Sequence, residues 1–465
     1  MQIRIDRTSP GKPAETPSDR IAPQCLVFLQ EVLGDFHPRD FSFRLWDGSV
    51  WDAEPGKPSR FTMVLRNPGV LRTMFWSPSE LALGEAYLYN DLDIEGDISS
   101  AFLLADLLVH VRLGLVERLR FARLLLALPS TGRHQSVRPT EKLRGPLHSM
   151  GRDRQAVTYH YDMSNAFYSL WLDERMVYSC AYFTDPGDNL DTAQERKLDY
   201  LCRKLRLQRG ERMLDIGCGW GGLVIHAAKK YGVEAHGITL SGPQADLANE
   251  RIRQAGLSDR CRVDVRDYRE IHAPESYDKL VSVGMFEHVG ESRLQEYFRR
   301  AFRLLRPAGV FLNHGIACNP DFPPVPGPSF SDHYIFPDGE LLPLGTTLSV
   351  AETSGFEVRD VESLREHYVL TLRHWIRRLE SRREEACSLT DEKTFRLWRL
   401  YLAGAAHKFR MGQNSVYQVL LSKTLDGKSG LPLTRGDWSQ WPSVTNPEGP
   451  GRKAQVKIDE SEHKQ

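Results

Sequence analysis

Long apolar runs are missing from this chain. No stretch of its 465 residues approaches the ~18 consecutive apolar residues a membrane-spanning helix needs. Charge of one sign is missing too. Its 61 Lys/Arg balance 61 Asp/Glu, so no global field draws the protein to nucleic acid or to an anionic membrane, and any electrostatic targeting must be local. No nucleic-acid partner is expected. Cysteine pairing is also lacking. The seven cysteines are scattered, odd in number and without a CxxC, which argues against a disulfide framework and a zinc site. No metal is expected. The opening residues, MQIRIDRTSPGKPAETPSDR, lack the apolar core of a secretion signal, so a cytoplasmic protein is expected. Internal repeats are absent. What remains is an ordinary globular composition, 41% hydrophobic and 26% charged, with enough length for two or three domains.

Patterning divides the chain. Residues 1–22 are polar and proline-containing, as a disordered segment is. From Phe41, FSFRLWDGSVWD and RFTMVLRN alternate like strands around the turn-forming Asp47-Gly48. Helical spacing follows, and a small α+β domain is expected over residues 23–128. Residues 129–154 carry Pro, Gly and charge without periodicity and read as a basic linker. From 155 to 423 strand and helix patterns alternate, with strands expected at 212–216, 234–239, 262–265, 279–283 and 310–316. Later pieces near 356–362 and 416–422 suit the last strands. That alternation predicts an α/β doubly wound sheet. Residues 424–465 are rich in Gly, Pro and charge and read as a mobile tail.

The chemistry concentrates in LDIGCGWGG, residues 214–222. An apolar strand ends there, Gly217, Gly219 and Gly221 alternate, and a helical pattern begins. Glycine permits a tight turn and a close ligand approach, and a helix start offers free N–H groups. The spacing matches neither G-x-G-x-x-G nor G-x-x-x-x-G-K-[ST]. A lone G-x-G is more often an ordinary turn, but eight matching residues at a strand–helix junction point to the S-adenosylmethionine loop, which this segment resembles, of class I methyltransferases. Ligands in open α/β sheets bind beyond the carboxyl ends of the strands. The residues there are Asp215 and the glycines; Leu240, Ser241 and Gln244; Asp267 and Tyr268; Glu287 and His288; and His314 and Ile316 on the fifth strand. Upstream lie Tyr178, Ser179 and Cys180, and downstream His367 and Tyr368. Taken singly, a cysteine or a strand histidine among these is more often a core residue.

In order along the chain, HYDMSN, YSCAYF, DIGCGWGG, GMFEHVG, YIFPDG and WRLYLAG resemble the cyclopropane fatty acid synthase family, which includes the mycolic acid cyclopropane synthases. The resemblance runs from Tyr159 to Ser422 and, more weakly, through GEAYLYNDLDIEGD in the N-terminal domain. It implies a class I methyltransferase fold behind a lipid-engaging or oligomerising N-terminal domain. It also implies transfer of a methylene from S-adenosylmethionine to a cis double bond in a membrane phospholipid, closing a cyclopropane ring, with bound bicarbonate as base. The implied holders of bicarbonate are Cys180, Glu287, His314, Ile316 and Tyr368. The implied cofactor residues are Tyr178, Ser179, Asp215, Gly217, Gly219, Leu240, Gln244, Asp267 and Tyr268, with Ser241 beside them, a residue that equally suits a helix N-cap. Mycolic acid members often carry Trp near Asp267 and Tyr268. Gly219 is expected to face the cofactor in a backbone conformation that leaves no room for a Cβ. His288, His367, Cys218 and Cys261 are read as structural. The alternatives are a methyltransferase giving methyl-branched chains, an N-methyltransferase of the coclaurine type, and a non-catalytic lipid-binding protein.

Residues 112–154 hold ten Lys/Arg against three Asp/Glu, a balance of plus seven. LVHVRLGLVERLRFARLLLALP interleaves Arg118, Arg120 and Arg123 with apolar residues at helical spacing. A basic amphipathic helix can lie on anionic lipid, and a core helix followed by a solvated linker explains the pattern equally well. The expected partner is the inner face of a bilayer bearing unsaturated acyl chains, touched peripherally, and a homodimer is left open.

Overall fold

The computed structural model describes residues 21–34, 36–76, 79–110, 120, 122–123, 125–126, 143–161, 163–322 and 329–438. The described residues up to Leu431 form one compact unit, and those from Pro432 to Trp438 belong to a second. The expected disordered start, most of the basic stretch including Arg118, and most of the tail lie outside the described residues. Arg120, inside them, pairs with Glu31 at 2.7 Å. Among the described residues no helix is long and apolar enough to cross a membrane.

The N-terminal part is a four-stranded sheet in the order β2-β1-β3-β4, formed by β1 (Phe41–Arg44), β2 (Val50–Trp51), β3 (Phe61–Leu65) and β4 (Leu92–Gly96). β1 and β3 are parallel and the other pairs antiparallel. Helices Ile21–Leu33, Val70–Trp76, Glu80–Leu88 and Ile98–His110 accompany it.

The larger sheet has seven strands in the order β10-β11-β9-β8-β5-β6-β7. They are β5 (Arg212–Ile216), β6 (Glu234–Thr239), β7 (Cys261–Val265), β8 (Tyr277–Val283), β9 (Leu305–Cys318), β10 (Glu357–Ser363) and β11 (Asn414–Ser422). The first five are parallel, and β11 runs antiparallel to both β9 and β10. Each strand expected from the pattern is present. β9 is longer than its expected 310–316, because Arg306-Pro307-Ala308-Gly309 reads as a breaker in sequence. The chain instead carries the strand through it, with Ala308 at φ +61° and a register shift against β8, the signature of a bulge.

Chain order reverses on the two sides of β5. From β5 the chain moves outward to β6 and β7, then returns to β8 and β9. The crevice between β5 and β8, at their carboxyl ends, is where such a sheet takes a ligand. One hydrophobic core lies under the sheet around Leu214, Phe298 and Phe311. A second is continuous from Leu29 and Phe43 of the N-terminal part to Trp171, Trp375 and Trp398. The N-terminal sheet and the helices after β9 therefore share one interior.

Candidate active site

β5 ends at Asp215 and Ile216, and the glycine loop turns back over β6. The N–H groups of Gly217 and Cys218 both donate to the Ile238 carbonyl, at 3.0 and 2.9 Å. Gly217 sits at φ +86°, and a Cβ there would lie 2.7 Å from Cβ of Met285. Gly219 sits at φ +53° with no protein atom within 4 Å of its would-be Cβ. At Gly219 it is therefore not the protein that would meet a Cβ but whatever fills the space beside it. Gly217 is the crowded position, because the loop after β8 packs on it, while Gly219 faces open cavity.

A cavity of about 130 Å³ opens at this point. Tyr178, Ser179, Asp215, Gly217, Gly219, Leu240, Gln244, Asp267 and Tyr268 all line it. Gln244 is held by the Thr239 hydroxyl, which donates to it at 2.8 Å. Ser241 is not on the lining; its hydroxyl accepts the Gln244 N–H at 3.4 Å and caps helix Gly242–Gln254. Asp267 accepts the Arg269 guanidinium at 2.9 and 2.7 Å. The same guanidinium reaches Asp153 at 2.8 Å and the His148 carbonyl at 3.0 Å, fastening helix Met150–Tyr161 to this edge. Burial pushes the Asp215 carboxyl up to about 7, against the pull of Lys197, and Asp215 Oδ1 has no hydrogen-bond partner among the described residues.

A second cavity, about 320 Å³, contains Cys180, Glu287, His314, Ile316 and Tyr368. These residues come from a loop, the turn after β8, β9 and helix Arg365–Ser381. Tyr178, Ser179, Gly284 and His288 line both cavities, so the two meet at these four residues. Glu287 accepts the Ile316 N–H at 2.6 Å through Oε1, while its buried Oε2 has no partner among the described residues. Burial pushes its carboxyl up to about 7. His314 contacts the Gln418 amide through Nδ1 at 3.3 Å, and its buried Nε2 has no partner among the described residues. Burial holds His314 well below its usual value, so the ring is neutral. With the Gln418 amide donating to Nδ1, Nε2 carries the proton and is a donor. Aromatic rings surround the junction: Tyr178 lies 5.2 Å from Trp375 and 5.3 Å from Trp171, centroid to centroid.

Cys180 lies against the Leu364 carbonyl at 3.7 Å, and burial pushes its thiol far above the usual range. A neutral thiol at this place acts as a weak donor. Cys180→Ser should therefore leave activity within about tenfold of wild type, the scale of one net hydrogen bond. The check is initial rate together with mass spectrometry of the protein during turnover. A covalent adduct trapped on Cys180 would make it a nucleophile instead.

Three participants escaped the sequence reading. Lys197 is fully buried in helix Leu190–Leu205 and donates to the Ser179 hydroxyl at 2.9 Å. An ammonium has no acceptor, so Ser179 accepts from it and keeps its own proton for the cavities. The signal was available: Lys197 interrupts the buried stripe of Ala193, Gln194, Leu198 and Leu201, and a charge on an apolar face is unusual. Arg269 had no such signal. His288, read as structural, lines both cavities, and burial lowers it to about 4.

The sheet order, the glycine loop after β5 and the crevice above it are those of a class I S-adenosylmethionine-dependent methyltransferase, carrying a small α+β domain at the N-terminus. Within that class, residues 148–419 match the mycolic acid cyclopropane synthetase family, and the chain belongs to it. Residues 28–106 match a second family, described as a domain of unknown function. The chain is 41% identical over 416 residues to a probable fatty acid methyltransferase of Pseudomonas putida, covering 89% of this chain and 99% of that protein. It is 36% identical over 277 residues to the cyclopropane-fatty-acyl-phospholipid synthase of Escherichia coli K12, covering 59% and 69%. The crystal structure of mycolic acid cyclopropane synthase CmaA1 complexed with SAH and CTAB superposes with TM-score 0.55 at 35% identity, covering 58% of this chain and 97% of that one.

Proposed function

We propose that the protein transfers a methyl group from S-adenosylmethionine to the double bond of an unsaturated fatty acyl chain, carried by a membrane phospholipid, and yields a methyl-branched chain. The observation that carries this reading is the meeting of two cavities at Tyr178, Ser179, Gly284 and His288. One is built on the glycine loop and carries Asp215, Gln244 and Asp267 on its lining, and the other is the more apolar. When bound, the cofactor supplies an electrophilic methyl on a sulfonium. The glycine loop, the unpartnered Asp215 oxygen and the open space beside Gly219 suit it.

The apolar cavity would hold the alkene and exclude water. Transfer of that methyl to one alkene carbon would leave positive charge on the other. The Tyr178 ring, which lines both cavities, would stabilise that charge through its π face. A proton must then leave. Lost from the new methyl, it leaves a cyclopropane; lost from a neighbouring chain carbon, it leaves a branched alkene. Glu287 and His314 offer a buried acceptor and a buried donor that have no partner among the described residues. That pair fits bicarbonate, an ion with one O–H to give and oxygens to accept, and such an ion would supply the base. Tyr368 lines the same cavity with a hydroxyl that can also donate.

Methyl branching is preferred over ring closure because likeness across 89% of the chain is to a fatty acid methyltransferase, whereas that to the Escherichia coli synthase spans 59%. Ring closure is the second reading, favoured by the complete set around Glu287. The two products have equal mass, so mass alone does not separate them. The test supplies methyl-labelled cofactor and vesicles of monounsaturated phospholipid, then reads the acyl chains by NMR. Label beside retained olefinic protons is expected. Label in an upfield ring methylene would establish ring closure, and absence of label from the acyl chains would remove both readings.

A further inference from the structure

We infer that the N-terminal domain is an acyl-binding domain: it forms the closed end of the cavity that takes the hydrocarbon tail, and so selects how long a tail is accepted. This rests on the proposed function for the identity of the occupant. The cavity that holds Glu287 and His314 is also lined by Met63, Met74, Leu92, Ile94 and Phe102, all from the part of the chain whose family has no known function.

Their placement follows from the strands. Leu92 and Ile94 are two apart on β4 and share a face. Met63 on β3 is the direct partner of Ile94, so the three form one apolar patch. Met74 comes from helix Val70–Trp76, and it and the three strand residues are buried. The charged lining residues Glu80, Asp106 and Lys408 are part-exposed, with Lys408 paired to Glu80 at 3.3 Å. An acyl chain in this cavity would place its polar end at the part-exposed Glu80–Lys408 pair and its methyl end under the buried Met63 and Met74.

A ruler must be rigid, and this wall is fixed to the catalytic part. β4 is the edge of its sheet. Buried Arg396 donates to the Tyr87 and Leu92 carbonyls at 2.8 and 2.9 Å. Arg399 donates to the Tyr87 hydroxyl at 2.8 Å and the Ile94 carbonyl at 3.2 Å. Both arginines lie on helix Glu392–Arg410. On the same helix Gly404 lets the Phe102 ring approach so closely that a Cβ would lie 3.0 Å from it.

The experiment uses the full chain with Met63→Trp and Met74→Trp, which fill the closed end, and Met63→Ala and Met74→Ala, which deepen it. Each is given a mixture of unsaturated acyl chains with equal carboxyl-side spacing and short, medium or long tails beyond the double bond. Methyl-label uptake is read for each. Trp variants should shift the kcat/KM ratio of short to long tails by roughly tenfold or more, the discrimination an apolar pocket gives per excluded methylene. Ala variants should shift it the other way, and SAH affinity should stay at the wild-type value throughout. Binding of cis-parinaric acid, read by fluorescence, is a second measurement independent of turnover, and the Trp variants should weaken it. Unchanged tail preference and unchanged parinaric binding in all four variants, with SAH bound normally, would overturn the inference. If parinaric binding depends on Met63 and Met74 but the wild type labels no acyl chain, the wall stands and the proposed reaction falls.

Discussion

Glu287→Gln should lose turnover by about 10²–10⁴-fold, the usual contribution of a positioned acid–base group, while binding S-adenosylmethionine as wild type does. Glutamine keeps the shape and the carbonyl that accepts the Ile316 N–H, found at 2.6 Å from the native carboxylate. It loses the second oxygen as an acceptor, the buried atom that has no partner among the described residues. The same substitution should raise stability. Burial lifts the Glu287 carboxyl from 4.5 to about 7. A group raised on folding contributes stability below its unfolded value and loses that contribution as pH climbs through the folded value. In wild type this loss falls between pH 4.5 and about 7, and amounts to about 3 kcal/mol for Glu287. Asp215, raised from 3.8 to about 7, adds a second loss of the same sign. Glu287→Gln should therefore unfold at higher temperature than wild type at pH 8, and the gap should close by pH 5. Thermal unfolding at both pH values, beside single-turnover rates, checks this. A variant that is stabilised yet turns over normally would remove Glu287 from the chemistry. Full wild-type rate in carbonate-free buffer would remove bicarbonate and leave another base to be found.

Gly217→Val should abolish cofactor binding, with a loss in SAH affinity above about 100-fold. Two costs coincide at this position. The backbone is at φ +86°, which β-branched residues avoid. The added Cβ would also meet Met285 at 2.7 Å, and overpacking of this kind costs about 1–3 kcal/mol. Relief requires the loop to move away from the turn that carries Glu287. Gly219→Ala is the companion test, because it adds a methyl beside open cavity with no protein atom within 4 Å. It should fold normally, at a strain cost of about 1–2 kcal/mol, and still weaken SAH. Calorimetry on both variants decides. Normal SAH affinity in Gly219→Ala would mean that the cofactor does not approach the loop at that residue.

Some of this was legible before any coordinates. The strand–glycine–helix junction at residues 214–222 is local: an apolar strand, glycines where the backbone turns left-handed, and helical spacing afterwards. Strands at 212–216 and 234–239 coincide with β5 and β6, since short apolar runs between helical segments have few other solutions. Where local pattern misled, a tertiary contact was responsible. Arg306-Pro307-Ala308-Gly309 looks like a break, but β8 pairs with Leu305 before it and Val310 after it, and Lys423 bonds to Ala308 and Gly309 within it. Ser241 looked like a cofactor contact or a cap, and the helix that starts beside it takes its hydroxyl. The crowding of Gly217 by Met285 left no mark in the sequence, because spacing records the turn and not what packs on it.

The amino-acid order by itself determined the sheet, the loop that opens toward a cofactor and the short list of polar residues at strand ends. Each is set by periodicity and by backbone preferences acting over a few residues. Only the tertiary structure decided what those residues face. Cys180 and Tyr368 are 188 positions apart and share one cavity. Lys197 reaches Ser179 across the interior. Arg396 and Arg399 bind the edge of a sheet laid down some 300 residues earlier, bringing Met63 and Ile94 into the cavity that holds Glu287. Such contacts leave no periodic trace in the sequence, because they depend on where separately folded elements meet.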